Sequence, residues 1–265
     1  MDTLGIIFFI IAWLYASVGF GGGSSYLAMM VLADLPLAQI PIISLICNII
    51  VTSSGFFYFY RDGHFNWTPF LYLILGSIPM AFLGALIPIH ISHLSFLLGL
   101  VLCLSSLFLF IRKPSSYRTI LPAPWALSLL GAGIGFLSGL VGIGGGIFLS
   151  PIMLNLSWFG PKQVAALCSG FILVNSGVGL LGQMTKLSRM DISACWPLFI
   201  GVFFGGQAGA IIGSRIFPVS LIRFLTAVLT LYAGSKLIGQ MEWDLKKFTQ
   251  KLVIMERHSL PTEAR

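Results

Sequence analysis

Long apolar runs separated by short polar breaks occupy the first 240 residues of the chain. Runs such as 69–88 and 97–111 lack the two-residue alternation of a membrane strand. Since about 20 helical residues cross a bilayer core, we predict an all-α polytopic membrane protein with about eight transmembrane helices. The predicted spans, of which the first and fifth are interrupted, are 4–34, 40–60, 68–88, 93–112, 124–157, 162–183, 193–214 and 219–240.

Glycine clusters interrupt the first and fifth spans. Each glycine costs about 1 kcal/mol relative to alanine inside a helix, so both helices are predicted to break there. A break uncovers backbone N–H groups at the start of the next half-helix, where the helix dipole also favours negative charge. Because lipid cannot satisfy these groups, each break must face protein or a cavity, and the clusters predict an anion site. They read Gly19-Phe20-Gly21-Gly22-Gly23 and Gly142-Ile143-Gly144-Gly145-Gly146.

Glycines can also serve only to let helices touch. That alternative applies to the clusters, and it is our interpretation of the evenly spaced row Gly201, Gly205, Gly209 and Gly213.

The two clusters align without gaps at an offset of 123 residues. Further matches follow in the same order while the offset drifts to 127. This shared order predicts two four-helix repeats, 4–113 and 124–240, within one transmembrane domain of residues 1–240. The matches are Ala12 with Gly135, Ala16 with Gly139, Gln39 with Gln163, Asn48 with Asn175, Gly76 with Gly201 and Gly84 with Gly209.

Neutral polar residues beside the breaks complete the predicted site. Asn48 and Asn175 are candidate side-chain donors to a substrate, and interhelical hydrogen bonds worth about 0.6 kcal/mol are the alternative. The predicted substrate-binding residues are Gly21, Gly22, Gly23, Ser24, Asn48, Gly144, Gly145, Gly146 and Asn175.

The positions of the basic residues set the expected orientation. With eight full spans, the side that holds both termini carries twelve of the fifteen Lys and Arg residues, so both termini are predicted to be cytoplasmic and the repeats parallel. The alternative makes each interrupted segment a re-entrant hairpin, inverts the second repeat and divides the charges eight to seven. In the favoured parallel arrangement, Arg61 and Arg215 lie at opposite faces and attract anions to the two mouths.

Composition excludes a soluble enzyme, because only 9% of the residues are charged, against about a quarter in soluble proteins. The net charge of +7 lies mostly in loops and the cytoplasmic tail 241–265, and it indicates no nucleic acid partner. Because Met241, Leu245 and Phe248 share one helical face opposite lysines, we predict an amphipathic tail helix on the membrane. A solvated or self-associating tail is the alternative.

The predicted spans carry no charge near their middle, so the intramembrane carboxylate of a proton-driven pump is missing. A cytoplasm-negative potential favours export of each negative charge by about 2.3 kcal/mol per 100 mV, which we expect to suffice. No nucleophile, base and orienting group can be paired, so an enzyme is not expected. The cysteines stand singly and predict neither a metal site nor a cofactor; they are Cys47, Cys103, Cys168 and Cys195.

These residues resemble the TauE/SafE sulfite-exporter family, whose signature is a glycine-rich segment early in each half, followed in the second half by a proline. Here 142–146 leads to Pro151, whereas Ala28 stands at the matching place in the first half. The resemblance covers about residues 4–240. It implies a multi-pass transporter of the cytoplasmic membrane that exports a small sulfur-containing anion such as sulfite, sulfoacetate or a related organosulfonate.

An anion channel, or a facilitative uniporter for another small oxyanion, is the alternative function. The expected partners are a small anionic substrate and the lipid bilayer, and both a monomer and a homodimer remain open.

Overall fold

The structure is a computed structural model that describes residues 2–33, 35, 39–87, 92–111, 122–141, 144–184, 195–236 and 238–239. All regular elements among these residues are helices, so the predicted all-α class is confirmed. The helices are α1 (Asp2–Ala16), α2 (Gly23–Leu32), α3 (Ile40–Arg61), α4 (Trp67–Leu86), α5 (Ser92–Ile111), α6 (Pro124–Val141), α7 (Gly146–Asn155), α8 (Pro161–Met184), α9 (Trp196–Ile211) and α10 (219–236). A π-helical turn, Ile212–Ile216, continues α9.

Several helices have the length and composition of membrane spans. Among the described residues these are α3, α4, α8, and α9 with its π-helical turn. Large apolar side chains such as Leu71, Leu75 and Phe204 are exposed on them, which suits contact with acyl chains. The tail helix predicted for 241–265 lies outside the described residues.

Both glycine clusters interrupt their helices, as predicted: α1 and α2 are separate helices, and so are α6 and α7. The residue directly before α2 is Gly22, with a φ of +86°, and the residue before α7 is Gly145, with a φ of +77°. Residues with a Cβ rarely adopt this left-handed conformation. A glycine is therefore required at the start of each second half-helix.

α1 packs against α9, and both helices run in the same direction. Gly5 lies beside Gly201 near the start of the two helices, and Trp13 lies beside Gly209 further along. A side chain at Gly209 would overlap the carbonyl oxygen of Trp13. The glycine row of α9 thus allows close helix packing, as predicted for it.

α3 also runs in the same direction as α9. Val51 packs on Gly206, and Asp62, just past the end of α3, pairs with Arg215. Since α1 and α3 run the same way, the chain must turn back between them, so α1, the glycine cluster and α2 form a hairpin. The prediction that the first interrupted segment crosses the membrane once is wrong.

A second hairpin precedes α8. α6 and α8 both run parallel to α4, so α7 must also be the returning arm of a hairpin. The contacts of α4 that show this are Leu73 with Gly131 and Ala81 with Gly139 in α6, and Phe70 with Gly170 and Ala85 with Gly182 in α8.

Corresponding helices of the two halves run in opposite directions. In α3 and α8, Gly55 faces Ser169 whereas Leu45 faces Gly179. α5 and α10 are likewise antiparallel, with Gly99 against Gly234 and Leu109 against Arg223. Parallel repeats would make these pairs run the same way, so the favoured parallel arrangement is wrong. The charge count led to it because it assumed one crossing for each interrupted segment.

Contacts between the halves fall into matched pairs. Gly84 of α4 lies on Phe136 of α6, and Gly209 of α9 lies on Trp13 of α1. Phe136 follows Trp13 by 123 residues, and Gly209 follows Gly84 by 125 residues. The offset found in the sequence therefore connects positions that make the same contact.

Candidate functional site

A small cavity lies where the first glycine cluster meets α7 and α8. Its volume of about 10 Å³ is room for about one water molecule. The three glycines predicted in the first half of the site line it, together with Ser24. The full lining is Tyr15, Phe20, Gly21, Gly22, Gly23, Ser24, Ile147 and Ile172.

The start of α2 presents uncovered donors to this cavity. The first hydrogen bonds of the helix run from the amides of Ser25 and Tyr26 to the carbonyl oxygen of Gly22, at 2.9 and 3.0 Å. Among the described residues, nothing accepts a hydrogen bond from the amides of Gly23 and Ser24. The Ser24 hydroxyl is also buried without a hydrogen-bond partner. Three uncharged donors therefore lie together at the positive end of a helix dipole.

Asn48 lies directly against the first glycine cluster. A side chain on Gly21 or Gly23 would overlap the Asn48 amide group, which explains two of the glycines. From the same face of α3, the Ser44 hydroxyl donates to the carbonyl oxygen of Gly23 at 3.0 Å. The structure thus brings Asn48 to the predicted site.

Asn175, like Asn48, is not among the residues that line the cavity. Its Nδ2 donates to the carbonyl oxygen of Phe171 at 2.9 Å, and its Oδ1 accepts from the Ser77 hydroxyl at 2.6 Å. These bonds connect α8 to itself and to α4. Asn175 therefore makes an interhelical hydrogen bond, which was the alternative to substrate binding for this residue.

The structural counterpart of Asn48 is Ile172, 124 residues later. Ile172 lies against Gly144 and Gly146, as Asn48 lies against the first cluster. Cys168 likewise corresponds to Ser44, since its Sγ donates to the carbonyl oxygen of Gly146 at 3.6 Å. The alignment of Asn48 with Asn175 is therefore wrong.

The second glycine cluster contributes less to the cavity than predicted. Gly145 begins α7 as Gly22 begins α2: the amides of Phe148 and Leu149 donate to its carbonyl oxygen at 3.1 and 3.2 Å. Gly144 approaches Asn48, since a side chain there would come within 3.3 Å of the Asn48 Nδ2. From this half, however, the cavity wall is formed by isoleucines.

Arg61 and Arg215 lie at the same end of the molecule, so their assignment to two mouths is wrong. The guanidinium carbons of both residues approach the Tyr58 ring, to 5.5 and 6.0 Å from its centroid. Arg215 also binds the Asp62 carboxylate, with Nε 3.0 Å from Oδ2. The prediction failed because α3 and α9, which end near these residues, run in the same direction.

The Asp62 carboxylate accepts three hydrogen-bond contacts from the Arg215 guanidinium. These bonds hold the pKa of Asp62 below its ordinary value, against a smaller opposing effect of burial. Lys162 adds a further connection here, since its Nζ donates to the carbonyl oxygen of Ser214 at 2.8 Å. The ends of α3, α8 and α9 are thereby joined.

Two residues near the first cluster were missed by sequence reasoning. The Tyr15 hydroxyl lies 2.9 Å from the Ser25 hydroxyl, and Lys236 Nζ donates to the carbonyl oxygen of Ser24 at 3.1 Å. Tyr15 stands four residues before the cluster, so its position in the sequence could have indicated that it lies near the site. Lys236 is 212 residues from Ser24, and no sequence signal connects the two.

Long apolar helices that surround an internal cavity, with broken helices presenting backbone groups to it, are typical of membrane transporters. The chain belongs to the family described as Sulfite exporter TauE/SafE, which it matches over residues 4–237. It is therefore a membrane transporter.

Curated relatives have consistent names. The chain is 35% identical to the Probable membrane transporter protein y4hK of Sinorhizobium fredii, over 90% of this chain and the whole relative. It is 28% identical to the Probable membrane transporter protein YjnA of Bacillus subtilis, over 73% of this chain and 82% of that relative. No solved structure matches the chain.

Proposed function

We propose that the protein exports a small sulfur-containing anion, such as sulfite, sulfoacetate or a related organosulfonate, across the cell membrane. The observation that carries this proposal is the start of α2. There the amides of Gly23 and Ser24 and the Ser24 hydroxyl lie beside the cavity, and no described residue accepts a hydrogen bond from them.

Electrostatics supports an anion as the ligand. None of the described residues that line the cavity is acidic. In a membrane interior each unsatisfied backbone group costs several kcal/mol, and the oxygens of a sulfite or sulfonate group are suitable acceptors. A ligand bound here would also lie at the positive end of the α2 dipole.

The proposed architecture is a pair of inverted repeats, each with an interrupted hairpin followed by three helices. The opposite directions of α3 and α8 and of α5 and α10 support inversion. The matched contacts of Gly84 and Gly209 support duplication. A site formed by half-helices at the interface of inverted repeats is a recurrent arrangement in transporters.

The cavity in this conformation is smaller than the proposed substrate, since it has room for about one water molecule. We propose that the structure is a closed state and that transport requires a movement that widens the cavity. The connections of Asp62 with Arg215 and of Lys162 with Ser214 hold one end of the bundle together and must yield or move as a unit. Passage of the anion is proposed to be driven by the membrane potential.

The test is flux into or out of liposomes with sulfite, sulfate, thiosulfate, sulfoacetate and taurine as substrates. Gly22→Val should abolish saturable flux of the transported anion, because valine cannot adopt the left-handed φ that starts α2. Gly133→Val is the matched control, since nothing lies within 4 Å of a side chain built there. Saturable anion flux in the Gly22 variant at the wild-type rate would refute the site. Unsaturable flux in the wild type would indicate a channel instead.

A further inference from the structure

Lys236 places a positive charge beside the first glycine cluster. It lies in α10, and its Nζ lies 3.1 Å from the carbonyl oxygen of Ser24. The Tyr232 ring lies one turn earlier, with its centroid 5.5 Å from the same Nζ. Lys236, which is not itself among the residues that line the cavity, thus holds its ammonium group at the first turn of α2, against the residue that follows Gly23 in the chain.

This charge has no carboxylate partner in the described part of the chain. The one ion pair found there joins Arg215 to Asp62, at the end of the bundle where α3 and α9 finish. An ammonium group has three donor hydrogens, and a single carbonyl oxygen accepts one of them in the structure. A partly buried ammonium without a counter-ion favours binding of an anion next to it.

The side chains beside the second glycine cluster differ from those beside the first. At the position that corresponds to Ser24, 123 residues later, the chain carries Ile147, and Ile172 replaces Asn48. Both isoleucines line the cavity. The Ser24 hydroxyl and the Lys236 ammonium group therefore lie beside the first cluster, whereas the described side chains that the second half contributes to the cavity are apolar.

We propose that Lys236 is a substrate-binding residue, whose ammonium group binds the oxyanion head of the substrate at the start of α2 together with the Gly23 amide and the Ser24 hydroxyl. The inference rests on the proposed function and assigns the charge that the glycine cluster itself lacks. In this arrangement the remaining part of an organic anion lies toward Ile147 and Ile172. The ammonium group reaches the anion by releasing, or sharing, its bond to the Ser24 carbonyl.

The experiment measures sulfite uptake into liposomes by wild-type protein and by Lys236→Gln, Lys236→Arg and Lys162→Gln. Loss of a charge-assisted hydrogen bond should raise the KM of Lys236→Gln about 10- to 100-fold, with a smaller effect on kcat. Lys236→Arg should have a KM between those of Lys236→Gln and the wild type, because it keeps the charge and the donors but not the compact ammonium group. Lys162→Gln is the matched control for KM: Lys162 also donates to a backbone carbonyl, at Ser214, but in the end connection with Asp62 and Arg215, so its loss should change kcat rather than KM.

Amine-directed labelling of wild-type protein provides a second measurement that needs no variant. Sulfite should slow the modification of Lys236, read by mass spectrometry, and leave that of Lys162 unchanged. An unchanged KM in Lys236→Gln, or equal labelling of Lys236 with and without sulfite, would overturn the inference. Such results would coincide with saturable wild-type flux, whereas failure of the proposed function would show as wild-type flux equal to that of empty liposomes.

A purely structural role for Lys236, in which it only fastens α10 to α2, makes a different prediction. Lys236→Gln would then unfold at a lower temperature while its KM stayed at the wild-type value. That outcome would also overturn the inference.

Discussion

Asn48 and Ile172 occupy matching positions against the two glycine clusters, one with a polar side chain and the other with an apolar one. The backbone of the two sites is thus alike while the side chains differ. The proposed anion-binding side chains are therefore those that lie beside the first cluster.

The contrast between Asn48 and Asn175 gives the first prediction. Asn48→Val should raise the KM for the transported anion, because Asn48 lies against the cluster that presents the donors. Asn175→Val should leave KM unchanged and lower the free energy of unfolding by about 1–3 kcal/mol, since it leaves the buried Ser77 hydroxyl without its acceptor. Liposome flux and thermal unfolding of both variants check this. Equal effects on KM would contradict the assignment.

Backbone conformation gives the second prediction. Gly145→Ala should destabilise the protein by about 1–3 kcal/mol, because alanine is strained at a left-handed φ. Gly133→Ala, in α6, should be neutral or stabilising by up to about 1 kcal/mol, because this helical glycine borders open space. The measurement is thermal unfolding in detergent. A similar loss of stability in both variants would show that the left-handed conformation of Gly145 is not the cause of the destabilisation.

The hairpin arrangement gives the third prediction. In a background without the four native cysteines, Gly63→Cys and Leu156→Cys should react with an impermeant maleimide from the same side of the membrane. The reason is that the bonds of Asp62 to Arg215 and of Lys162 to Ser214 bring both connecting loops to one end. Labelling of the two cysteines from opposite sides would contradict the hairpins and support a single membrane crossing by each interrupted segment.

The Asp62 ion pair gives the fourth prediction, a pH dependence. Because hydrogen bonds from Arg215 lower the pKa of Asp62, the pair stabilises the folded protein above the ordinary carboxyl pKa of about 3.9. That stabilisation is lost as the pH falls through the lowered value. The wild type should therefore unfold at a higher temperature than Asp62→Asn near neutral pH, and this difference should close in strong acid. A difference that persists unchanged in strong acid would show that the charge is not its cause.

The breaks and the glycine positions were predictable from sequence because they depend on local conformation. A run of glycines cannot continue a helix cheaply, and a left-handed residue is needed before each second half-helix, at Gly22 and Gly145. The offset of 123 residues was found for the same reason, since identical local geometry selects glycine at the same places.

Helix direction was not predictable, because it depends on contacts between distant helices. The hydropathy of an apolar segment with a central break is compatible both with a single crossing of the membrane and with a hairpin that returns to the same side. The contacts that decide, such as Trp13 with Gly209 and Asp62 with Arg215, join residues more than 150 positions apart.

The register of α3 and α8 shows why the site was only partly predictable. Matching amide with amide gave Asn175 as the counterpart of Asn48, whereas the glycine contacts give Ile172. Positions that make the same backbone contact here carry different side chains, so chemical identity was a poor guide to equivalence at this site.

The most direct test of the central claim is the location of a bound oxyanion. Crystals grown with selenite, the selenium analogue of sulfite, should give an anomalous peak at hydrogen-bond distance, about 3 Å, from the amide nitrogens of Gly23 and Ser24. Selenite should also compete with sulfite for transport. A competing selenite ion found elsewhere in the protein, with the start of α2 empty, would contradict the account.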